Sequence, residues 1–282
     1  MSLADDFLYL IDAIDRRIAL PPIVTLYLPE PMDDPDRVAA FGAMLLEDRS
    51  CGFFSAWLGE TIADLEGFDE KTVLGHSPAE IARWYAESNP IRRALGFAAA
   101  NAISQHLFRI SGYSLDTTTN SMGELDFQPG DHVGMVGFFP PLVKKLTARG
   151  IDLTIIEKQE KFAGREGNYR ISFNASDLGN CNKVLCTAST LLNHTVEEIL
   201  AHCNPAARVA LIGPTAGCLP DPLFDRGVDI LGGSVAVNAP LLMQRLQSQE
   251  KWGESVDKYC IRQAIYPGYK KLLSETSRKG RI

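Results

Sequence analysis

At 282 residues the chain is long enough for one large domain or two ordinary ones, each with its own core. Its 45% hydrophobic content is that of a soluble globular protein, and a net charge of −7 argues against a general nucleic-acid binder, which needs basic excess to neutralise phosphates. No apolar run approaches membrane-spanning length, and Asp5, Asp6, Asp12 and Asp15 are incompatible with a signal peptide, so a cytoplasmic protein with no nucleic-acid and no membrane partner is expected.

In chain order, apolar residues at helical spacing (Leu3, Phe7, Leu10, Ile11, Ile14) predict an amphipathic helix over 3–18, ended by Pro21-Pro22. Ile23–Leu28 has strand composition, and further strands are expected at Val38–Leu46 and Cys51–Leu58, joined by a polar turn into an antiparallel meander. Ser77-Pro-Ala-Glu80 reads as a capping box with proline at the first helical position. Asn89-Pro90 repeats the cap-then-proline signal and opens a helix to about Arg109, whose small face Ala98–Ala102 includes a polar Asn101. A meander followed by helices makes an α+β unit.

The stretch Ser111–Gly130 is rich in Ser, Thr, Asp, Asn and Gly, and the domain junction is placed there, giving domains 1–120 and 121–282. Beyond it, strands and helices alternate: 132–137, 141–149, 152–156, then 183–187, 195–203, 208–212, 220–226 and 228–231. Short apolar strands separated by helices imply an α/β Rossmann-like domain with a mainly parallel sheet. The polar gap Lys158–Asn182 is placed to fold over the ligand end of that sheet. Lys270, Lys271, Arg278, Lys279 and Arg281 read as a solvated, frayed tail.

The unit His132–Glu157 is the most telling. A buried strand runs into the turn Phe138-Phe-Pro-Pro141, a short helix follows, and a second strand stops at Glu157. Ligands in such units lie beyond the carboxyl ends of the strands, where a terminal acid can hold a ribose or another polyol. Pro140 and Pro141 remove two backbone donors that a pyrophosphate-binding helix start needs, so NAD is not expected in the usual way. If the sheet is parallel, Gly137 and Phe138-Phe139, Glu157, Thr187–Thr190 and Gly213–Gly217 converge on one crevice suited to a polar small molecule.

Each piece keeps a plain structural alternative. Thr195 with Glu198 forms another capping box signal, and the glycines around Pro214 suit a tight turn. Phe138 and Phe139 serve the core, dock the N-terminal domain or stack on a ligand. Glu157 is a surface residue or a ligand contact. Asn193 caps backbone groups or hydrogen-bonds a ligand, and Asn101 ties down a loop or lines an interdomain cleft. The six cysteines sit in or beside apolar stretches and lack zinc-knuckle spacing, and His194, His202 and Cys203 do not converge on one ion, so no metal ligands are assigned. No nucleophile elbow, phosphate loop or helix-borne histidine pair is present. Catalytic residues and cofactor are unassigned, and enzymatic activity is left open.

Asn89–Ala102, Val133–Pro140, Ile155–Glu157, Thr187–Thr195 and Ile212–Thr215 together resemble, in order and spacing, a domain-of-unknown-function family known as the putative heavy-metal-chelation family. The resemblance runs from about residue 20 to residue 240. It implies an enolase N-terminal-like α+β domain, a Rossmann-like domain similar to methyltransferases, and a site between them for a small pterin-, flavin- or siderophore-like chelator. Carried over, the ligand-binding positions are Asn101, Gly137, Phe138, Glu157, Thr187, Asn193, Gly213 and Thr215. Phe138 stands where histidine is common in the family, which removes an acid–base or metal role there. The expected partner is a small-molecule ligand, a metal chelate among the candidates, which the protein condenses, hydrolyses or carries without catalysis. A methyltransferase using S-adenosylmethionine is a further alternative, and association into a homo-oligomer is left open.

Overall fold

The computed structural model describes residues 1–30, 40–56, 64–119, 124–158, 165–166 and 169–279. Helix α1 (Leu3–Asp15) starts at Ser2, whose side chain accepts the Asp5 N–H while the Asp5 carboxylate accepts the Ser2 N–H. Its apolar face, Leu3, Phe7, Leu10, Ile11 and Ile14, is buried as the spacing predicts. Each such side chain contributes about 1.5–3 kcal/mol through burial. Strands β1 (Ile23–Tyr27), β2 (Phe41–Leu46) and β3 (Cys51–Ser55) form the antiparallel meander, in that order. Both later strands are shorter than expected, and residues 38–39 and 57–58 of those expectations lie outside the described residues.

Helices α2 (Pro78–Ala82) and α3 (Pro90–Ser111) follow. The Ser77 side chain makes no capping hydrogen bond, so its expected capping box does not form, whereas Asn89 Oδ1 accepts the Arg92 N–H at 3.0 Å. Every residue of α3 from Ala94 to Phe108 is buried. The small face explains how: a Cβ on Gly52 of β3 would lie 1.9 Å from the Ala98 carbonyl oxygen, so strand and helix backbones touch. Asp48, in the β2–β3 turn, ties the hairpin to α3. It accepts hydrogen bonds from Ser50, His106 at 2.6 Å and Arg109. Burial raises its pKa, but these donors outweigh burial and hold the carboxyl below its usual range.

The second sheet has eight strands, and its topology explains where a ligand can sit. They are β4 (His132–Val136), β5 (Asp152–Ile156), β6 (Arg165–Glu166), β7 (Tyr169–Ser172), β8 (Lys183–Thr187), β9 (Arg208–Ile212), β10 (Ile230–Ala236) and β11 (Val256–Arg262). The order is β11-β10-β9-β8-β4-β5-β7-β6, parallel from β10 to β7 and antiparallel at both edges. Its helices are α4 (Pro140–Thr147), α5 (Ser189–Leu192), α6 (Val196–His202), α7 (Asp221–Phe224), α8 (Ala239–Gln247) and α9 (Tyr269–Lys279). No helix among the described residues is long and apolar enough to cross a membrane.

Of the gap 158–182, β7 joins the sheet beside β5, and the 3-10 segment Ala175–Asn180 leads back to the start of β8 at the opposite end; residues 159–164 and 167–168, on which the expected fold over the ligand end also rests, lie outside the described residues. The tail expectation needs correction for residues Tyr269–Lys279, which do not fray. They form α9, whose Leu272 and Leu273 are 3% exposed and belong to one apolar cluster with Phe7, Phe97 and Leu219. This cluster draws on residues from both sides of the expected junction. Helix α8 likewise places Ala239, Leu242 and Leu246 against Ala43, Leu45, Cys51 and Phe53 of the meander, with Trp252 stacked 4.8 Å from Phe53. The expected boundary at residue 120 lies outside the described residues.

Leu272→Ala is expected to lower stability in urea unfolding by about 2–4 kcal/mol, the cost of a cavity in a packed core. A change within about 0.5 kcal/mol, usual for surface positions, would restore the frayed-tail reading.

Candidate functional site

Strand order reverses between β4 and β8, and in open α/β sheets the ligand crevice opens at the carboxyl ends of such a pair. Gly137, directly after β4, has φ +86 and donates its N–H to the Ile156 carbonyl at 2.9 Å. A Cβ there would stand 3.1 Å from Thr187 Cγ2, so both the left-handed backbone and the close approach call for glycine. Thr187 ends β8 and is half-buried; its Oγ1 receives the Ser189 N–H at 3.3 Å and lies 3.4 Å from Ser189 Oγ. Gly213, after β9, has φ +134, and a Cβ there would meet Ala188 Cβ at 3.5 Å. Gly137, Thr187, Ala188 and Gly213 therefore form a contiguous row across three strand ends.

Glu157 closes β5, the neighbour of β4. Its N–H donates to the Ser172 carbonyl at 3.0 Å and its Oε1 accepts the Lys158 N–H at 2.7 Å. Phe173, one residue past Ser172, is half exposed and was not among the expected positions. Phe138 and Phe139 pack against the apolar cluster of Met135, Ile155 and Leu185, the core alternative of the sequence reading, with the Phe138 ring 6.5 Å from that of Tyr169. Asn193 Oδ1 accepts the Thr195 hydroxyl at 2.6 Å and the Thr195 N–H at 3.2 Å. It acts as the cap for this turn, and the Thr195 side chain makes no capping-box bond to α6.

Asn101 and Thr215 lie elsewhere, 0% and 1% exposed, inside the packed junction between α3, β3 and the chain after β9. Asn101 Nδ2 donates to the carbonyls of Phe53 and Thr215, each at 2.8 Å. Thr215 Oγ1 accepts the Ser55 N–H at 3.0 Å. One turn further along α3, Ser104 Oγ accepts the Leu219 N–H at 2.9 Å, and Gln105 Nε2 donates to the Gly217 carbonyl at 2.8 Å and to Tyr259 Oη at 3.0 Å. Residues 101, 104 and 105 thus grip residues 215, 219 and 217 respectively. Asn101 is a tie to a loop, the first of its two expected roles, and the geometry offers no open cleft at either residue. The sequence reading missed Ser104 and Gln105, although their spacing from Asn101, three and four residues, marks one helix face.

Among the described residues no group of three or more His, Cys, Asp or Glu side chains is placed to hold a metal ion. Burial pushes the thiols up, to about 11 at Cys181 and Cys203 and to about 12 at Cys186 and Cys260, which keeps them protonated near neutral pH. Metal binding needs the thiolate.

Asn101→Asp separates the tie from a ligand-lining role. A carboxylate has no donors to offer the Phe53 and Thr215 carbonyls, and it would be a buried unpaired charge. Urea unfolding at neutral pH should show a loss of at least about 3 kcal/mol; an unchanged midpoint would mean that the side chain faces a solvated cleft.

The family model DUF364, "Putative heavy-metal chelation", matches residues 121–263, just over half of the chain. An uncharacterized protein of Methanocaldococcus jannaschii is 28% identical over 132 residues, covering 46% of this chain and 49% of that one. The match thus spans about half the length of that relative. A DUF364-family protein of unknown function from Pyrococcus horikoshii superposes with a TM-score of 0.66 at 19% identity, covering 92% of this chain and 99% of that chain. One from Desulfitobacterium hafniense gives 0.63 at 22% identity, with the same coverage of 92% and 99%. At these identities the two structures attest the fold. With the family model matching more than half of its length, the chain belongs to the DUF364 family.

Proposed function

We propose that the protein binds a small organic metal chelator, pterin-, flavin- or siderophore-like, in the crevice at the carboxyl ends of β4 and β8, with a role in heavy-metal chelation. The observation that carries this reading is the approach of Gly137 to Thr187 at the point where strand order reverses. In this reading the Thr187 and Ser189 hydroxyls and the backbone at Gly213 bind the polar edge of the chelator. Glu157 holds one of its hydroxyl or amine groups, and Phe173 lies against its apolar part. The chelator holds the ion, which suits a crevice of hydroxyls and backbone beside thiols kept protonated by burial. The N-terminal unit, residues 1–120, supplies the ties that fix the far rim, residues 213–219. Its meander followed by helices supports the enolase N-terminal-like reading of that unit.

Thermal-shift and calorimetric titrations with a pterin, flavin mononucleotide and a hydroxamate siderophore, each with and without Cu2+, Zn2+ or Fe3+, test the proposal. At least one chelator should raise the melting temperature only when its metal is present. Thr187→Val and Glu157→Gln should each weaken that binding by about tenfold, or about 1.4 kcal/mol. Turnover lost beyond the loss of affinity marks an enzyme that condenses or hydrolyses the chelator, and its absence marks a carrier. Stabilisation by S-adenosylmethionine alone, or binding indifferent to both substitutions, overturns the proposal.

A further inference from the structure

The opposite end of the same sheet carries a polar cavity that the crevice does not use. Strands of a parallel sheet covered on both faces normally read as near-continuous apolar runs. β5 and β7 depart from this on one face: Asp152 and Thr154 stand two residues apart on β5, and Arg170 of β7 is the register partner of Thr154. His132, at the start of β4, is the register partner of Asp152. The 3-10 segment Ala175–Asn180 lies over this region. Gly134 lets it approach, since a Cβ there would lie 2.6 Å from Leu178 Cδ2 and 3.2 Å from Cys181 Sγ. Between segment and strands is a cavity of about 200 Å³ lined by His132, Asp152, Thr154, Arg170, Asn180 and Cys181, with Val133 completing the wall.

The charged groups lining this cavity satisfy one another only in part. His132 Nδ1 and Asp152 Oδ2 are 3.8 Å apart, too far for a hydrogen bond, and the two side chains are 65% and 64% exposed. Arg170 pairs with Asp177 at 3.0 Å through one terminal nitrogen, and its other terminal nitrogen is 3.5 Å from Thr154 Oγ1. A guanidinium has five N–H donors in a planar fork, so Arg170 retains donors for a second carboxylate. The Cys181 thiol, pushed up to about 11 by burial, presents a neutral wall. Opposite signs thus meet across a space of small-molecule size. A purely anionic ligand would meet Asp152 there, and a purely cationic one would meet Arg170.

We propose that this cavity binds a small zwitterion of the α-amino-acid class, its carboxylate on Arg170, Thr154 and Asn180 and its ammonium group on Asp152. This site is separate from the crevice and does not depend on what occupies it. Thermal-shift titration of the full chain with glycine, L-serine and L-aspartate tests it, with acetate and methylammonium as the two half-ligands. At least one amino acid should raise the melting temperature saturably, by about 5 °C at a hundredfold excess over its dissociation constant. Neither half-ligand should do so at the same concentration. Arg170→Met and, separately, the surface substitution Asp152→Asn should abolish the shift, whereas Thr187→Val at the crevice should leave it intact. The proposal is overturned if no amino acid shifts the melting curve, if acetate alone matches them, if the shift survives both cavity substitutions, or if Thr187→Val removes it. Asp152→Asn, on an exposed side chain, keeps the test decisive should Arg170→Met fail to fold.

Discussion

Three polar side chains on the buried face of α3 hold this molecule's two halves in register. Asn101, Ser104 and Gln105 lie on one face of α3, and each bonds the backbone of the chain that leaves β9, at Thr215, Leu219 and Gly217. That stretch has left its sheet, and its buried carbonyls and amides must find partners. The helix provides them, and Ser55 of the meander adds another through Thr215 Oγ1. The same chain continues to Asp221, whose carboxylate accepts the N–H of Tyr269 at 2.9 Å and the hydroxyl of Tyr266 at 2.8 Å, fixing the start of α9. One rigid loop therefore joins the sheet, the central helix and the C-terminal helix. It begins at Gly213, on the rim of the candidate crevice.

Much of the C-terminal half was legible because its strands are short, apolar and separated by helical segments, the pattern a doubly covered parallel sheet imposes. The juxtaposition of Gly137 and Thr187 was legible for the same reason: once β4 and β8 are parallel neighbours, the two must meet at their ends. What escaped had weak local signals. β7, Tyr-Arg-Ile-Ser, is short and half polar, so its place in the sheet comes from pairing with β5 and not from its own composition. Helix α8 gives its apolar face to the other sheet, a tertiary choice with no local trace. Asn101 and Thr215 look, in sequence, like site residues because buried polar groups and ligand contacts share the same residue types. Only their partners, the backbone carbonyls of Phe53 and Thr215 and the amide of Ser55, tell the two apart.

The sheet presents two chemically different ends. At the carboxyl end, among the described residues, the Thr187 and Ser189 hydroxyls, the backbone at Gly137 and Gly213, and Glu157 stand at neighbouring strand ends. At the amino end, an arginine, an aspartate and a histidine line a cavity beneath a 3-10 segment. Burial pushes the Cys186 and Cys218 thiols up.

The central claim is that α3 pre-orders residues 213–219, and native-state amide exchange tests it most directly. In a Ser104→Ala, Gln105→Leu double variant, amides from Gly213 to Leu219 should exchange at least about tenfold faster relative to those of β4 and β8, because local opening no longer requires breaking the helix ties. A loop whose exchange is unchanged, or one that accelerates only in step with the whole chain, would contradict the account.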